Sequence, residues 1–233
     1  INLWDVSNKT LITSISGNNS PIRLVDFSPD GKILLFGDWA GKIRLWNVKT
    51  RSIVEPVWYK DMIYPAAFLP VGKILVSGGV DNTIKLWDIE KRYVISSVVS
   101  YDSGSIRAMA VSPKGRFLAL GYDDNTIKVW DVQEKSFIYT FNGHSDSIYA
   151  IAFSKDGNVL ASGSEDNSIK MWDMKNGRHV MTLLSFVGND FIIYKPDNSF
   201  IASEPAKRYI SYTVGLKNYP LELAEKELFQ KNP

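Results

Sequence analysis

Apolar and polar residues alternate along most of this chain, in stretches of five to eight residues separated by clusters of Asp, Asn, Gly, Pro and Lys. SIYAIAFS, NVLASGS, SIKMWDM and RHVMTLL, within residues 147–184, show the pattern. Period-two alternation in runs rich in β-branched and aromatic side chains predicts half-buried strands, not helices. The intervening Lys155-Asp156-Gly157, Asp166-Asn167 and Asn176-Gly177 supply residues that adopt tight-turn dihedrals. The predicted unit is therefore four short antiparallel strands, a to d.

That unit recurs. Trp4, Trp46, Trp87, Trp130 and Trp172 stand 41 to 43 residues apart, each followed by Asp or Asn. Four of them close matching frames: LLFGDWAGKIRLWN, LVSGGVDNTIKLWD, LALGYDDNTIKVWD and LASGSEDNSIKMWD. Ahead of these lie VDFSPDGK, AAFLPVGK, MAVSPKGR and IAFSKDGN. A fixed period of this length means one supersecondary unit repeated and stacked.

The tryptophan-aspartate endings, the period and the Gly143-His144 pair resemble the WD40-repeat family, which implies an all-β, WD40 β-propeller with four strands per blade. The unit at 21–57 departs most, with Ala40 where the other turns carry Asp. The expected propeller spans residues 1–215. It comprises a partial first blade at 1–16, full blades at about 21–58, 62–99, 105–142 and 147–184, and a degenerate last blade at 190–215. Five to six blades fall short of a seven-bladed ring, so the chain, which begins at Ile1 inside a strand pattern, reads as a fragment of such a ring. A six-blade closure through a mixed blade is the alternative. Residues 216–233 are expected to form a C-terminal tail, with a short helix in LELAEKELFQ. Ala202-Ser203, Tyr209-Ile210, Gly215, Tyr219-Pro220 and Pro233 resemble the closing segment of bacterial WD40 proteins, some of which carry caspase-like peptidase or other effector domains.

Composition narrows the function. The 233 residues include 27 basic and 25 acidic side chains, a net charge of +2, too balanced to point to a nucleic-acid or membrane surface. The absence of cysteine excludes disulfides, thiolate metal sites and cysteine nucleophiles, and two histidines make no metal cluster. It suits a cytoplasmic protein. Neither a transmembrane run nor a signal peptide is legible. The acidic pairs Asp123-Asp124 and Glu165-Asp166 lie in b–c turns without the ligand spacing of a calcium loop.

His144, Ser162 and Asp166 have the residue types of a catalytic triad. The family resemblance implies otherwise: with Trp172, these positions form a buried structural hydrogen-bond set. Ser77, Asp81 and Trp87 repeat the set without histidine, while Leu120, Asp124 and Trp130 keep only the carboxylate and the indole. A catalytic set would not be partly copied from blade to blade. No catalytic residue, metal or cofactor is expected.

The resemblance also implies which residues crown the disc. The position after the start of strand a falls at Arg23, Tyr64, Arg107 and Tyr149. The position before the turn Asp falls at Trp39, Val80, Asp123 and Glu165. Arg, Tyr and Trp are frequent interface anchors. The expected function is a non-catalytic protein–protein interaction scaffold or sensor module that binds a protein or peptide, with no nucleic acid, membrane or small-molecule substrate. The alternative is a regulatory propeller of a larger bacterial enzyme, a caspase-like peptidase or a kinase, whose catalytic domain lies outside this chain.

Overall fold

The structure is a computed structural model. It describes every residue except 18–19, 55–62, 71, 101–103, 187–189, 215–216 and 221–233, and for 63–64, 211–214 and 217–220 it describes the backbone alone. The repeat becomes four antiparallel sheets. Blade 1 comprises Ile22–Phe27, Ile33–Asp38, Ile43–Asn47 and Ser52–Val54. Blade 2 comprises Ile63–Phe68, Ile74–Gly79, Thr83–Asp88 and Tyr93–Val99. Blade 3 comprises Ile106–Val111, Phe117–Tyr122, Ile127–Asp131 and Ser136–Phe141, and blade 4 opens with Ile148–Phe153, Val159–Ser164, Ser168–Asp173 and Arg178–Ser185. Strand a of each blade neighbours strand a of the next, so the first strands share one inner edge. A hairpin of Asn2–Asp5 and Thr10–Ser14 precedes blade 1.

Short polar side chains close the turns. The Asp or Asn after each repeat tryptophan accepts hydrogen bonds from backbone N–H groups two or three residues on, or both. Asp88 Oδ1 takes Glu90 and Lys91 at 3.0 and 2.8 Å, and Asn47 Oδ1 takes Lys49 and Thr50 at 3.0 and 2.9 Å. Only the acceptor oxygen matters there, which is why Asn substitutes for Asp. In the b–c turns Asn82, Asn125 and Asn167 take the left-handed conformation that Asn tolerates. Blade 1 places Gly41 at that position (φ 81°), and Asp38 replaces the missing turn aspartate by accepting from Lys42 N at 3.0 Å. Asp38, almost wholly buried, also pairs with Arg44 at 3.1 Å.

The core lies between sheets. Leu35, Ile43 and Leu45 of blade 1 pack on Leu75 and Trp87 of blade 2. Val76 and Ile84 of blade 2 pack on Leu118, Leu120 and Trp130 of blade 3, and Ile127, Val129 and Phe141 of blade 3 pack on Leu160 and Trp172 of blade 4. Trp46 faces Ile15 and Ile1 in the same way. Each indole thus reaches back to the sheet before it. Trp4, with no sheet before it among the described residues, is 55% exposed. The blades also approach through their second strands: a Cβ on Gly121 would lie 2.5 Å from Ile148 Cγ2 of the next blade.

The last repeat departs from expectation. Phe191–Tyr194 and Phe200–Ala202 do not begin a separate sheet but continue blade 4, making it six-stranded. A backbone hydrogen bond from Phe186 N to Asp190 O (2.8 Å) turns the chain back onto strand d. Residues 190–215 contain no tryptophan, so this unit lacks the side chain that pegs the others across to a preceding sheet. A 3-10 turn at Glu204–Tyr209 and a hairpin of Ser211–Val214 with Lys217–Pro220 follow. The helix expected within 221–230 lies outside the described residues.

Gly121→Ala should lower stability by roughly 1–3 kcal/mol in urea unfolding, because Ile148 has no free space to give. Gly163→Ala, whose Cβ would meet Ala150 at an ordinary 3.5 Å, should cost far less. Equal losses would show that Gly121 does not set the spacing between blades.

Candidate functional site

The four residues of the expected hydrogen-bond set are joined in blade 4. Trp172 Nε1 donates to Ser162 Oγ at 2.9 Å, Ser162 Oγ lies 2.8 Å from His144 Nε2, and His144 Nδ1 lies 2.7 Å from Asp166 Oδ2. Proton bookkeeping fixes the directions. The indole can only donate, so the Ser162 hydroxyl passes its own proton to Nε2, and Nδ1 carries the proton given to Asp166. Asp166 also accepts from Ser145 N (3.0 Å), Ser168 N (2.8 Å) and Ser168 Oγ (2.6 Å). The relay ties strands b and c, the b–c turn and the approach to strand a into one unit.

This geometry is unsuited to nucleophilic catalysis. The His144 side chain is wholly buried and Ser162 nearly so, and the hydroxyl that would attack is already committed at both ends. Burial lowers the His144 pKa, and the hydrogen bond it donates to Asp166 only partly opposes it. Burial would raise Asp166, but hydrogen bonds from Ser168, His144 and Ser145 together hold it well below the usual carboxylate range. The stable state is a neutral imidazole beside an ionised carboxylate.

The other blades carry shortened versions. In blade 2, Trp87 Nε1 donates to Ser77 Oγ at 2.9 Å, and Asp81 caps Thr83 N at 3.0 Å. In blade 3, Leu120 stands at the serine position, while Asp124 still caps Thr126 N at 3.0 Å. Blade 1 has Phe36 there, and Trp46 Nε1 is buried with no hydrogen-bond partner among the described residues. His179, on strand d, lies 2.9 Å from Thr182 Oγ1, and its pKa is lowered by burial and by the nearby charge of Lys170.

The residues expected to crown the inner edge fall into pairs within each blade. Arg23 places its guanidinium 3.8 Å over the ring of Trp39. Arg107 binds Asp123 Oδ2 through Nε (3.2 Å) and Nη2 (2.9 Å). Tyr149 and Glu165 hold the same positions in blade 4, and both are exposed. Tyr64 lies in strand a of blade 2 with its side chain outside the described residues, and Val80, exposed, directly follows strand b. Each pair is separated by 16 residues, a spacing visible in the sequence, and the structure shows contact within two of them, Arg23 with Trp39 and Arg107 with Asp123. Arg23, Tyr149 and Glu165 then meet across the inner edge, lining one open depression of about 630 Å³ with Asn167, Ile169 and Leu183.

Sequence reasoning missed a second depression, of about 900 Å³, between the a–b turns of blades 1 and 2. Its lysines, Lys32 and Lys73, pair with Asp30 and Glu90 at 3.1 Å. It depends on how two sheets abut, for which no local motif exists. Among the described residues no His, Asp and Glu side chains gather in a group able to hold a metal, and no helix is long and apolar enough to cross a membrane.

A family profile described as "WD domain, G-beta repeat" matches residues 9–47, 66–88, 94–131 and 135–173. Similar curated proteins include the "Periodic tryptophan protein 2 homolog" of Schizosaccharomyces pombe, 32% identical over 56 residues. The protein of that name from Neurospora crassa is 29% identical over 69 residues, and "Periodic tryptophan protein 2" of Saccharomyces cerevisiae is 33% identical over 58. The matches cover 24%, 29% and 24% of this chain but only 7%, 8% and 6% of those relatives, so the chain spans a small part of their length. All three are fungal, and they lend no support to a bacterial origin.

Trp172→Phe should cost at least about 1 kcal/mol more than Trp46→Phe, because the first loses a made hydrogen bond and the second removes an orphaned donor. Thermal unfolding of the two variants compares them directly, and equal losses would remove the relay's energetic role. Stability should also depend on pH. A histidine whose pKa falls on folding lends stability that is complete above its unfolded value of 6.5 and is lost as pH drops through the lower folded value. Asp166 adds a second decline below 3.8, in the same direction. The unfolding midpoint should be level at neutral pH and fall below about pH 6.5. His144→Gln should flatten most of that upper decline and His179→Gln the remainder; a decline unchanged in the double variant would exclude both.

Proposed function

The chain belongs to the WD40 family, and from that premise we propose that it is a non-catalytic binding module holding a protein or peptide partner against the inner edge of its blades. The observation that carries this reading is the convergence of Arg23, Tyr149 and Glu165 on one open depression, while the triad-like set of blade 4 is buried. Tyr149 is 51% exposed and Trp39 47%, and aromatic and Arg side chains in such positions anchor interfaces. The opposite charges of Arg23 and Glu165 suit a peptide with mixed charge better than a polyanion, and the net charge of +2 agrees. Nucleic acid, membrane and small-molecule substrates are thus outside the proposal, and a cytoplasmic setting accords with a chain free of cysteine.

A regulatory place within a larger protein would use the same surface. The fungal relatives are much longer than the matched segments, which cover only 6–8% of them. A link to a peptidase or kinase rests on the resemblance of the C-terminal segment alone.

A photo-crosslinking amino acid at Tyr149 should capture a partner protein from the native host, and the same residue at Ile95, an exposed outer-strand position, should not. Tyr149→Ala should weaken binding of the captured partner by about tenfold or more, and Arg107→Ala less, because Arg107 already engages Asp123. Equal capture from Ile95, or unchanged binding by Tyr149→Ala, would reject this face.

A further inference from the structure

The sequence contains two Asn-Gly pairs, Asn142-Gly143 and Asn176-Gly177, and the fold gives them opposite surroundings. Asn176 is held on every side. Its Nδ2 donates to Asp173 Oδ2 at 2.7 Å, its Oδ1 accepts from Arg178 N at 3.0 Å, and Gly177 N donates to Asp173 O at 2.8 Å. Asn142 and Gly143 are both exposed in the link between blades 3 and 4. Neither the Asn142 amide nor the Gly143 N–H has a hydrogen-bond partner among the described residues.

We propose that Asn142 is a covalent modification site, at which succinimide formation and isoaspartate conversion switch off the hydrogen-bond relay of blade 4. The Gly143 backbone nitrogen attacks Asn142 Cγ. The new N–Cγ bond forms as the Cγ–Nδ2 bond breaks, and the side-chain nitrogen leaves as ammonia carrying the Gly143 amide proton. Water then opens the five-membered ring. Hydrolysis at Cγ gives aspartate, and hydrolysis at the former main-chain carbonyl gives isoaspartate, with the chain now running through Cβ. One water is consumed and one ammonia released, with no oxidant or reductant. Glycine favours the attack because no side chain shields its nitrogen, and the unbonded Asn142 amide is free to swing toward it.

The position makes the product consequential. Phe141, immediately before, stacks on Trp172 with ring centroids 4.9 Å apart and planes 11° from parallel. His144, immediately after, bonds Ser162 and Asp166. Gly143 itself runs beside the indole, where a Cβ would lie 3.4 Å from Trp172 Cη2. An extra backbone methylene between Phe141 and His144 cannot leave both anchors in place. Aspartate, which adds a charge without lengthening the chain, can.

The test is timed incubation of the intact folded protein at mildly alkaline pH, followed by peptide mass mapping and isoaspartyl methyltransferase labelling. A proteolytic digest incubated alongside provides the unstructured reference. In the folded protein, Asn142 should convert at least about tenfold faster than Asn176, whereas in the digest the two should convert at similar rates. The isoaspartate form, separated by ion exchange, should unfold at a lower temperature than unmodified protein, and Asn142→Asp should not. Asn142→Gln should abolish the labelling of its own peptide while leaving the midpoint unchanged. Conversion at Asn176 as fast as at Asn142 in the folded protein, or no conversion of Asn142 there while the digest converts, would overturn the site. An isoaspartate form that unfolds like the unmodified protein would overturn the switch.

Discussion

The structure depends on an indole placed across the gap between consecutive sheets. A four-stranded sheet buries too little apolar surface to stand alone, and stacking neighbours supplies the remainder. Tryptophan suits the position because it fills the gap and carries a single donor that can be satisfied on its own sheet. Blade 4 satisfies it through a serine, a histidine and an aspartate, and blade 2 through Ser77. Blade 1 gives it no acceptor among the described residues. Packing is therefore the shared requirement, and the polar relay is an elaboration that differs from blade to blade.

The same division runs through the turns. Every c–d turn needs an acceptor at the residue after the tryptophan, and Asp and Asn serve equally. Where blade 1 has lost its b–c aspartate to Ala40, Asp38 supplies the acceptor and Gly41 the left-handed residue. The unit tolerates exchange of side chains so long as each backbone N–H finds an oxygen.

Much of this was legible in the sequence, because strand alternation, turn residues and the tryptophan period are local properties. The strands and turns of the four sheets follow from residues read in place, whereas the set of His144, Ser162, Asp166 and Trp172 was reached through the family resemblance. Features that depend on two distant segments were not legible. Residues 191–202 carry the alternation of a new blade, but their pairing with Arg178–Ser185 is a competition between partners that a single strand cannot reveal. Arg107 reads as an available anchor until the register sets Asp123 beside it. The two depressions arise from how sheets abut, and no motif encodes that.

The pairs at 23 and 39 and at 107 and 123 give the inner edge a modular character. In each, a side chain on the first strand meets one on the loop beyond the second, Arg23 with Trp39 and Arg107 with Asp123. Rewriting such a couple, from guanidinium on indole to guanidinium on carboxylate, changes what an incoming molecule meets while the scaffold beneath is untouched. The molecule thus behaves as a keyboard with a fixed frame, on which ligand preference is altered two keys at a time.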